Sequence, residues 1–144
     1  MILNVISKQY IVKMKKQISV LALAALMTVG FAFAAGQDDN VMRKQSDGTY
    51  VVNTTTLAAN VSGFKGATPV EVYIKNDKVV KVVAMKNRET PRYFEQVDSK
   101  MLPKFAGKRI SKVGTVDGVS GATFSSRAVK LNVEAAVKYY KAHK

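Results

Sequence analysis

The sequence contains no cysteine, and its single histidine, His143, lies one residue from the C-terminal end. The absence of cysteine excludes disulfides, thiolate metal sites and iron–sulfur clusters. A lone terminal histidine leaves almost no material for a Ser-His-Asp triad or a histidine-rich metal site. We therefore expect no metal and no catalytic residues of these kinds, and any redox chemistry must come from an organic cofactor.

Long hydrophobic runs are also missing. The apolar run from Ile18 to Phe33 spans 16 positions, whereas a helix needs about 20 apolar residues to cross a bilayer. The run follows a basic segment, Lys13 to Lys16, and ends in the small-x-small sequence Ala32-Phe33-Ala34, an order typical of export signals. The sequence therefore predicts a signal peptide over residues 1–34 and an exported protein in the periplasm or cell envelope. A retained membrane anchor is the alternative.

Acidic residues are scarce: 23 Lys and Arg stand against 10 Asp and Glu, and the formal net charge is +13. Removal of residues 1–34 takes away four lysines and leaves 19 basic against 10 acidic residues, a net charge of +9. Such a surface can hold phosphates, anionic lipid headgroups or acidic proteins. The sequence lacks a recognised nucleic-acid motif, a Rossmann glycine pattern and a Walker motif, so we expect no nucleic-acid partner.

The residues that are present predict a small antiparallel sheet. A first strand is predicted at Tyr50-Val51-Val52, and Val70 to Ile74 shows the period-two alternation of a half-buried strand. Asn76-Asp77 is a turn signal that connects this strand to the next. Residues 79–85 are apolar on both faces, which predicts a second and more central strand.

Helical patterns follow the strands. Pro91 suits the first turn of a helix that runs to about Leu102, and residues 110–116 form a short connecting segment or strand. A long helix is predicted from Thr123 to Ala142. Its main apolar stripe is Val129, Val133, Ala136, Val137 and Tyr140, widened by Phe124, Ala128, Leu131 and Ala135. The pattern predicts an α+β fold over residues 47–144, with helices packed on the sheet, preceded by a polar, flexible leader at residues 35–46.

The segment from Asp117 to Ser126 places glycine and hydroxyl residues directly before the long helix. Ser120, Thr123, Ser125 or Ser126 can cap the N–H groups that a helix start leaves unpaired. A helix start is also an anion site. For an isolated Ser-Gly-Ala sequence, an ordinary capped turn would be the usual interpretation.

The longer string Asp117-x-x-Ser120-Gly121-Ala122-Thr123-x-Ser125 resembles the flavinylation motif of FMN-binding domain proteins. This family is related to the flavin-carrying subunits of sodium-pumping NADH:quinone oxidoreductase and of Rnf-type complexes. In it, a flavin transferase that uses FAD and a divalent metal moves FMN onto the motif threonine through a phosphoester bond. The resemblance implies that Thr123 carries a covalent FMN.

Two further stretches resemble the same family in the same order. Gly63-Phe64-Lys65-Gly66, before the strand that begins near Val70, resembles its Gly-aromatic-x-Gly turn, and Glu89-Thr90-Pro91 resembles its Glu-Thr-Pro segment. The resemblance covers about residues 47 to 141. Family members often continue Glu-Thr-Pro with glycine, whereas this chain has Arg92-Tyr93-Phe94.

The resemblance also implies the residues of the cofactor site. Besides Thr123, these are Ser120, Gly121, Ala122, Ser125, Ser126, Asp117, Glu89, Thr90 and Gly66. Tyr73, Tyr93 and Phe94 are candidates to stack on the flavin ring, and the alternative is that these residues, at strand and helix spacing, belong to the core.

These features favour an exported electron-transfer flavoprotein over a stand-alone enzyme. It would pass electrons between redox partner proteins, membrane-bound ones included. The alternative is a basic binding module of the cell envelope that has the same fold and carries no flavin. A small flavin reductase with its own substrate is a third possibility, for which few ionisable residues remain.

Overall fold

The structure, a computed structural model, describes residues 41–144, so the predicted signal peptide and the first half of the predicted leader, residues 35–40, lie outside the described residues. Within these residues it contains an antiparallel sheet in the order β1-β2-β3-β4, two α-helices and two short 3₁₀ helices. The strands are β1 (Met42–Lys44), β2 (Tyr50–Asn53), β3 (Val70–Lys75) and β4 (Lys78–Ala84). The α-helices are α1 (Pro91–Lys100) and α2 (Thr123–His143), and the 3₁₀ helices span Leu102–Phe105 and Ile110–Thr115. The predicted α+β fold, with a C-terminal helix that begins at the motif, is confirmed.

Strand β1 corrects the prediction of a flexible leader through residue 46. Met42 pairs with Val52 of β2, and Arg43 donates to Glu71 of β3 at 3.1 Å. Three residues are too few to show a period, and the partners that order them come from later in the chain. The leader prediction is therefore wrong at residues 42–44.

The β3–β4 hairpin turns at Asn76 and Asp77, both with positive φ (51° and 57°). This is the geometry of a type I′ turn and confirms the predicted turn. Strand β4 is an edge strand rather than a central one. The register jumps between Tyr73, opposite Lys81, and Ile74, opposite Val79, so a bulge interrupts the alternation and both Val79 and Val82 face inward. The apolar residues of the other face, Val80 and Val83, are exposed, so the prediction that β4 is buried on both faces is wrong.

The core lies between the inner face of the sheet and the helices. The predicted stripe of α2 is buried, and α1 contributes Phe94 and Val97. Phe124 and Leu131, which were expected to widen the stripe, are exposed, and residues 110–115 form a 3₁₀ helix rather than a strand. The inner face of the sheet is formed by Val52, Val70, Val72, Ile74, Val79 and Val82. No helix among residues 41–144 is both long and apolar enough to span a bilayer.

A buried polar link sets the position of α2 on the sheet. The Thr54 hydroxyl donates to Asn132 Oδ1 at 2.6 Å and accepts from the Val70 N–H at 2.9 Å. Asn132 in turn donates to the Ala128 carbonyl oxygen at 2.9 Å. Because buried polar groups without partners are costly, this link favours one register of α2 over others that slide along the sheet.

Candidate functional site

Helix α2 starts without a side-chain cap. Its N-cap residue is Ala122, with φ −125° and ψ 43°, and no side chain accepts a hydrogen bond there. The prediction that Ser120, Thr123, Ser125 or Ser126 caps the helix is therefore wrong. The first N–H groups of α2 remain available to an anion, and the helix dipole favours negative charge at that end.

The motif hydroxyls serve other contacts, as their helical positions dictate. Ser125 and Ser126 point inward with the buried stripe, because they precede Val129 by four and three residues. Ser126 Oγ accepts the Val119 N–H at 2.9 Å and so secures the loop before the helix. Thr123 is exposed.

Glu89 lies just before α1 and joins three parts of the chain. Its Oε1 accepts the Lys65 N–H at 2.7 Å and its Oε2 accepts the Phe64 N–H at 3.1 Å. The Ser125 hydroxyl donates to the same Oε2. The carboxylate therefore connects the turn at residues 63–66 with the first turn of α2.

The pKa of Glu89 lies below its usual value although the side chain is only 7% exposed. Burial by itself raises this pKa, since it disfavours the charged form. The hydrogen bonds from the Ser125 hydroxyl and from the N–H groups of Lys65, Phe64 and Gly66 act the other way, and together they outweigh burial. Glu89 is therefore a permanently charged acceptor near neutral pH.

Two open cavities meet at Thr123. The first, which we call the aromatic cleft, has a volume of about 270 Å³, and the second, the basic groove, about 450 Å³. The aromatic cleft is lined by Phe64, Glu89, Thr90, Tyr93, Gly121, Ala122, Thr123, Phe124 and Ser125. The basic groove is lined by Gly118, Val119, Ser120, Thr123, Ser126, Arg127 and Lys130.

Most of the site residues predicted from the sequence come together here. Glu89, Thr90, Gly121, Ala122 and Ser125 line the aromatic cleft, Ser120 and Ser126 line the basic groove, and Thr123 lines both. Gly66 supports the site indirectly, because its N–H faces the Glu89 carboxylate. Asp117 is exposed and is not among the residues that line either cavity.

Of the three aromatic candidates, the structure places only Tyr93 in the cleft. Phe94 is buried in the core. Tyr73 is also misassigned, because it lies on β3 between the inward-facing Val72 and Ile74 and donates to Glu71 at 3.1 Å. The spacing of residues along a helix or a strand does not show which rings contact a ligand, since Phe94 belongs to the core and Tyr73 is half-buried on the outer face of the sheet.

Two exposed aromatic rings of the cleft were not identified as ring contacts from the sequence. Phe64 is 69% exposed and Phe124 64% exposed, and their ring centroids lie 6.1 Å apart. The sequence does contain a signal for Phe64, which lies between two glycines, Gly63 and Gly66. It lies inside a tight turn closed by the Gly63 N–H and the Gly66 carbonyl oxygen at 2.8 Å, from which a side chain does not reach the core.

The start of α2 has no side-chain cap and lies between exposed aromatic rings and basic side chains. This arrangement indicates a small α+β domain that binds a ligand both anionic and aromatic. Comparison with known protein families matches residues 63–138, more than half of the chain, to the FMN-binding domain. The chain therefore belongs to the FMN-binding domain family, and this match supports FMN as its cofactor. No curated protein matches the chain. The matched range contains both the glycine turn and the motif, and the family resemblance of the sequence is confirmed.

Proposed function

We propose that the protein is an exported electron carrier that holds FMN through a phosphoester bond to Thr123. A flavin transferase that uses FAD and a divalent metal loads the cofactor, and redox partner proteins, some of them membrane-bound, supply and accept the electrons. The observation that carries this proposal is the position of Thr123. It is an exposed hydroxyl at an uncapped helix start, where the aromatic cleft and the basic groove meet.

The residues around Thr123 suit a phosphate. The N–H groups at the start of α2 can donate to phosphate oxygens, and Arg127 and Lys130 line the adjacent groove. The helix dipole contributes only about 0.3–1 kcal/mol. That is too little to retain a cofactor outside the cytoplasm, where a released flavin is diluted away, so a covalent bond gives a clear advantage.

The aromatic cleft suits a flavin ring that stays accessible. Phe64, Tyr93 and Phe124 offer ring faces, and the cleft volume of about 270 Å³ is below the range of roughly 300–1,000 Å³ typical of enclosing ligand pockets. A ring placed there would be covered in part and would remain open to other proteins. When bound, FMN supplies reversible one-electron and two-electron redox chemistry.

The cleft offers little acid–base chemistry. Its titratable side chains are Glu89 and Tyr93. The depressed pKa of Glu89 makes its carboxylate a weak base, and its oxygens already accept hydrogen bonds. A threonine hydroxyl needs a base to become a nucleophile. We therefore assign that base to the transferase, and the same scarcity disfavours a reductase with its own substrate.

The excess of positive charge favours a second candidate, the flavin-free binding module. Among residues 41–144, the ion pairs are Arg43 with Glu71, Lys75 with Asp47 and Lys144 with Asp77. Most of the 19 basic residues after residue 34 are therefore free to attract anionic polymers or headgroups. Visible absorbance of the exported protein separates the candidates. A colourless protein that sediments with anionic polymer at low salt and not at high salt would support the binding module.

Reversible electron transfer is the direct test of the proposed function. After co-expression with a flavin transferase, the reduced protein should be reoxidised by ferricyanide, a small anion, in a reaction that slows about tenfold as salt rises, because salt screens the basic surface. A cationic oxidant such as hexaammineruthenium(III) should instead react faster as salt rises. A protein that carries flavin but cannot be cycled between its oxidised and reduced forms would contradict the proposal.

Export is a separate part of the proposal and has its own measurement. The basic, apolar and small-x-small order of residues 13–34 leads us to expect a mature protein that begins at Ala35. N-terminal sequencing of the protein from the exported fraction checks this. Membrane-bound protein that still carries residues 1–34 would indicate an anchor instead.

A further inference from the structure

The two walls of the aromatic cleft come from distant parts of the chain and have weak anchors of their own. Phe64 belongs to the turn at residues 63–66, and Phe124 belongs to the first turn of α2. Both rings are largely exposed, so burial does not fix them. The bridge between Ser62 and Ala67 closes the turn on itself and does not join it to α2.

The link between the walls is the carboxylate of Glu89. It accepts the Phe64 and Lys65 N–H groups from one wall and the Ser125 hydroxyl from the other. Hydrogen bonds to a charged acceptor are roughly twice as strong as neutral ones. Both carboxylate oxygens of Glu89 accept such hydrogen bonds, and the side chain is almost fully buried.

We propose that Glu89 is a positioning residue of the flavin site. It holds the Phe64 turn against the start of α2, and so presents the Phe64 ring to a flavin attached at Thr123. This inference rests on the proposed attachment of FMN to Thr123. It also revises the prediction made from the sequence, which placed Glu89 among the residues that bind the cofactor.

Gly63 supports this role independently. A Cβ atom at residue 63 would lie 2.9 Å from the carboxylate carbon and from both carboxylate oxygens of Glu89. That separation is closer than real Cβ atoms adopt, so the turn can approach Glu89 only because residue 63 is glycine. The absence of a side chain at residue 63 therefore allows the N–H groups of the turn to reach the Glu89 carboxylate.

Glu89→Gln is the main test. Glutamine keeps the shape and one acceptor oxygen, but its NH₂ group must face either the Lys65 N–H or the Phe64 N–H, and two donors cannot bond to each other. We expect Glu89→Gln still to carry covalent FMN, and intact-mass measurement checks this. Iodide should quench the flavin emission several-fold more efficiently than in the wild type, because the Phe64 wall no longer shields the ring.

Two further variants serve as a control for the change of charge and as a second disruption of the same contact. Glu95→Gln makes the same change of charge at an exposed position of α1 and should leave iodide quenching at the wild-type value. Gly63→Ala disrupts the contact from the other side and keeps the Glu89 carboxylate, so it should reproduce the Glu89→Gln result. If both Glu→Gln variants behave like the wild type, Glu89 does not position the turn.

A double-mutant cycle separates positioning from direct contact. Phe64→Ala removes the ring itself and should also increase iodide quenching. If Glu89 acts only through Phe64, Glu89→Gln should have no further effect in the Phe64→Ala background. Additive effects of the two substitutions would mean that Glu89 contacts the flavin, and this would overturn the proposal.

Hydrogen exchange in the flavin-free protein tests the link without a cofactor. The Phe64 and Lys65 amides should be protected in the wild type and should exchange about ten- to hundredfold faster in Glu89→Gln. Unchanged exchange would refute the inference while the assignment of Thr123 stands. A wild-type protein that never gains flavin in the presence of the transferase would refute the proposed function, and with it any role for Glu89 in the flavin site.

Discussion

Thr123→Val is expected to abolish covalent flavin attachment and to leave the fold intact. Valine has nearly the shape of threonine and lacks the hydroxyl that would form the phosphoester. Thr123 is exposed and caps no helix, so we expect the free energy of unfolding to change by less than about 0.5 kcal/mol. With the transferase and FAD, the wild type should become yellow and gain the mass of FMN less one water. Thr123→Val should stay colourless and keep its unmodified mass.

The structure shows which other hydroxyl residues could replace Thr123 in this experiment. Thr123→Ser keeps a hydroxyl at the same place and should keep part of the modification. Ser125 and Ser126 are buried and already hydrogen-bonded, so they are poor substitutes for the attachment residue. A covalently flavinylated Thr123→Val protein would therefore contradict the assignment and direct attention to Ser120, which is exposed.

Local periodicity was sufficient to predict much of the fold. Strand β3, the Asn76-Asp77 turn and helix α2 have patterns contained within their own residues. Strand β1 could not be predicted in this way, because Met42 and Arg43 are ordered by residues of β2 and β3. The bulge in β4 was equally invisible, since a change of register depends on the partner strand.

The candidate site likewise has features that one segment of the sequence reveals and contacts that depend on distant segments. The motif located Thr123 because it is a contiguous string, and the family match includes it. The motif could not show that Ser125 bonds to Glu89, which lies 36 residues away in sequence. Nor could it show that Phe64 and Phe124 meet. Contacts of this kind follow from packing between elements, and the pattern within a single segment does not specify them.

The other large effect is expected at Gly118, which lies on the loop that leads to Thr123. A Cβ atom at residue 118 would lie 2.9 Å from Ser126 Cβ and 3.3 Å from Ser126 Oγ. Ser126 is buried in the first turn of α2 and cannot retreat, so in Gly118→Ala the loop must move. The movement would also break the hydrogen bond from the Val119 N–H to Ser126 Oγ.

A displaced loop should matter more for modification than for folding. Overpacking of this kind costs roughly 1–3 kcal/mol of stability, whereas a displacement of about 1 Å at a reacting group can slow a reaction on the order of a hundredfold. We therefore expect Gly118→Ala to fold and to gain FMN far more slowly than the wild type. The time course of the mass increase, with the transferase and FAD in excess, measures this rate.

The chain offers a matched control in Gly114→Ala. A Cβ atom at residue 114 would approach only Glu134 Oε1, at 3.0 Å. That oxygen is the end of a flexible, exposed side chain that can move away, so the flavinylation rate should stay at the wild-type value. Ser126→Ala removes the acceptor for Val119 without a clash and should give an intermediate rate. If Gly118→Ala is modified as fast as Gly114→Ala, the loop geometry does not govern how Thr123 is presented to the transferase.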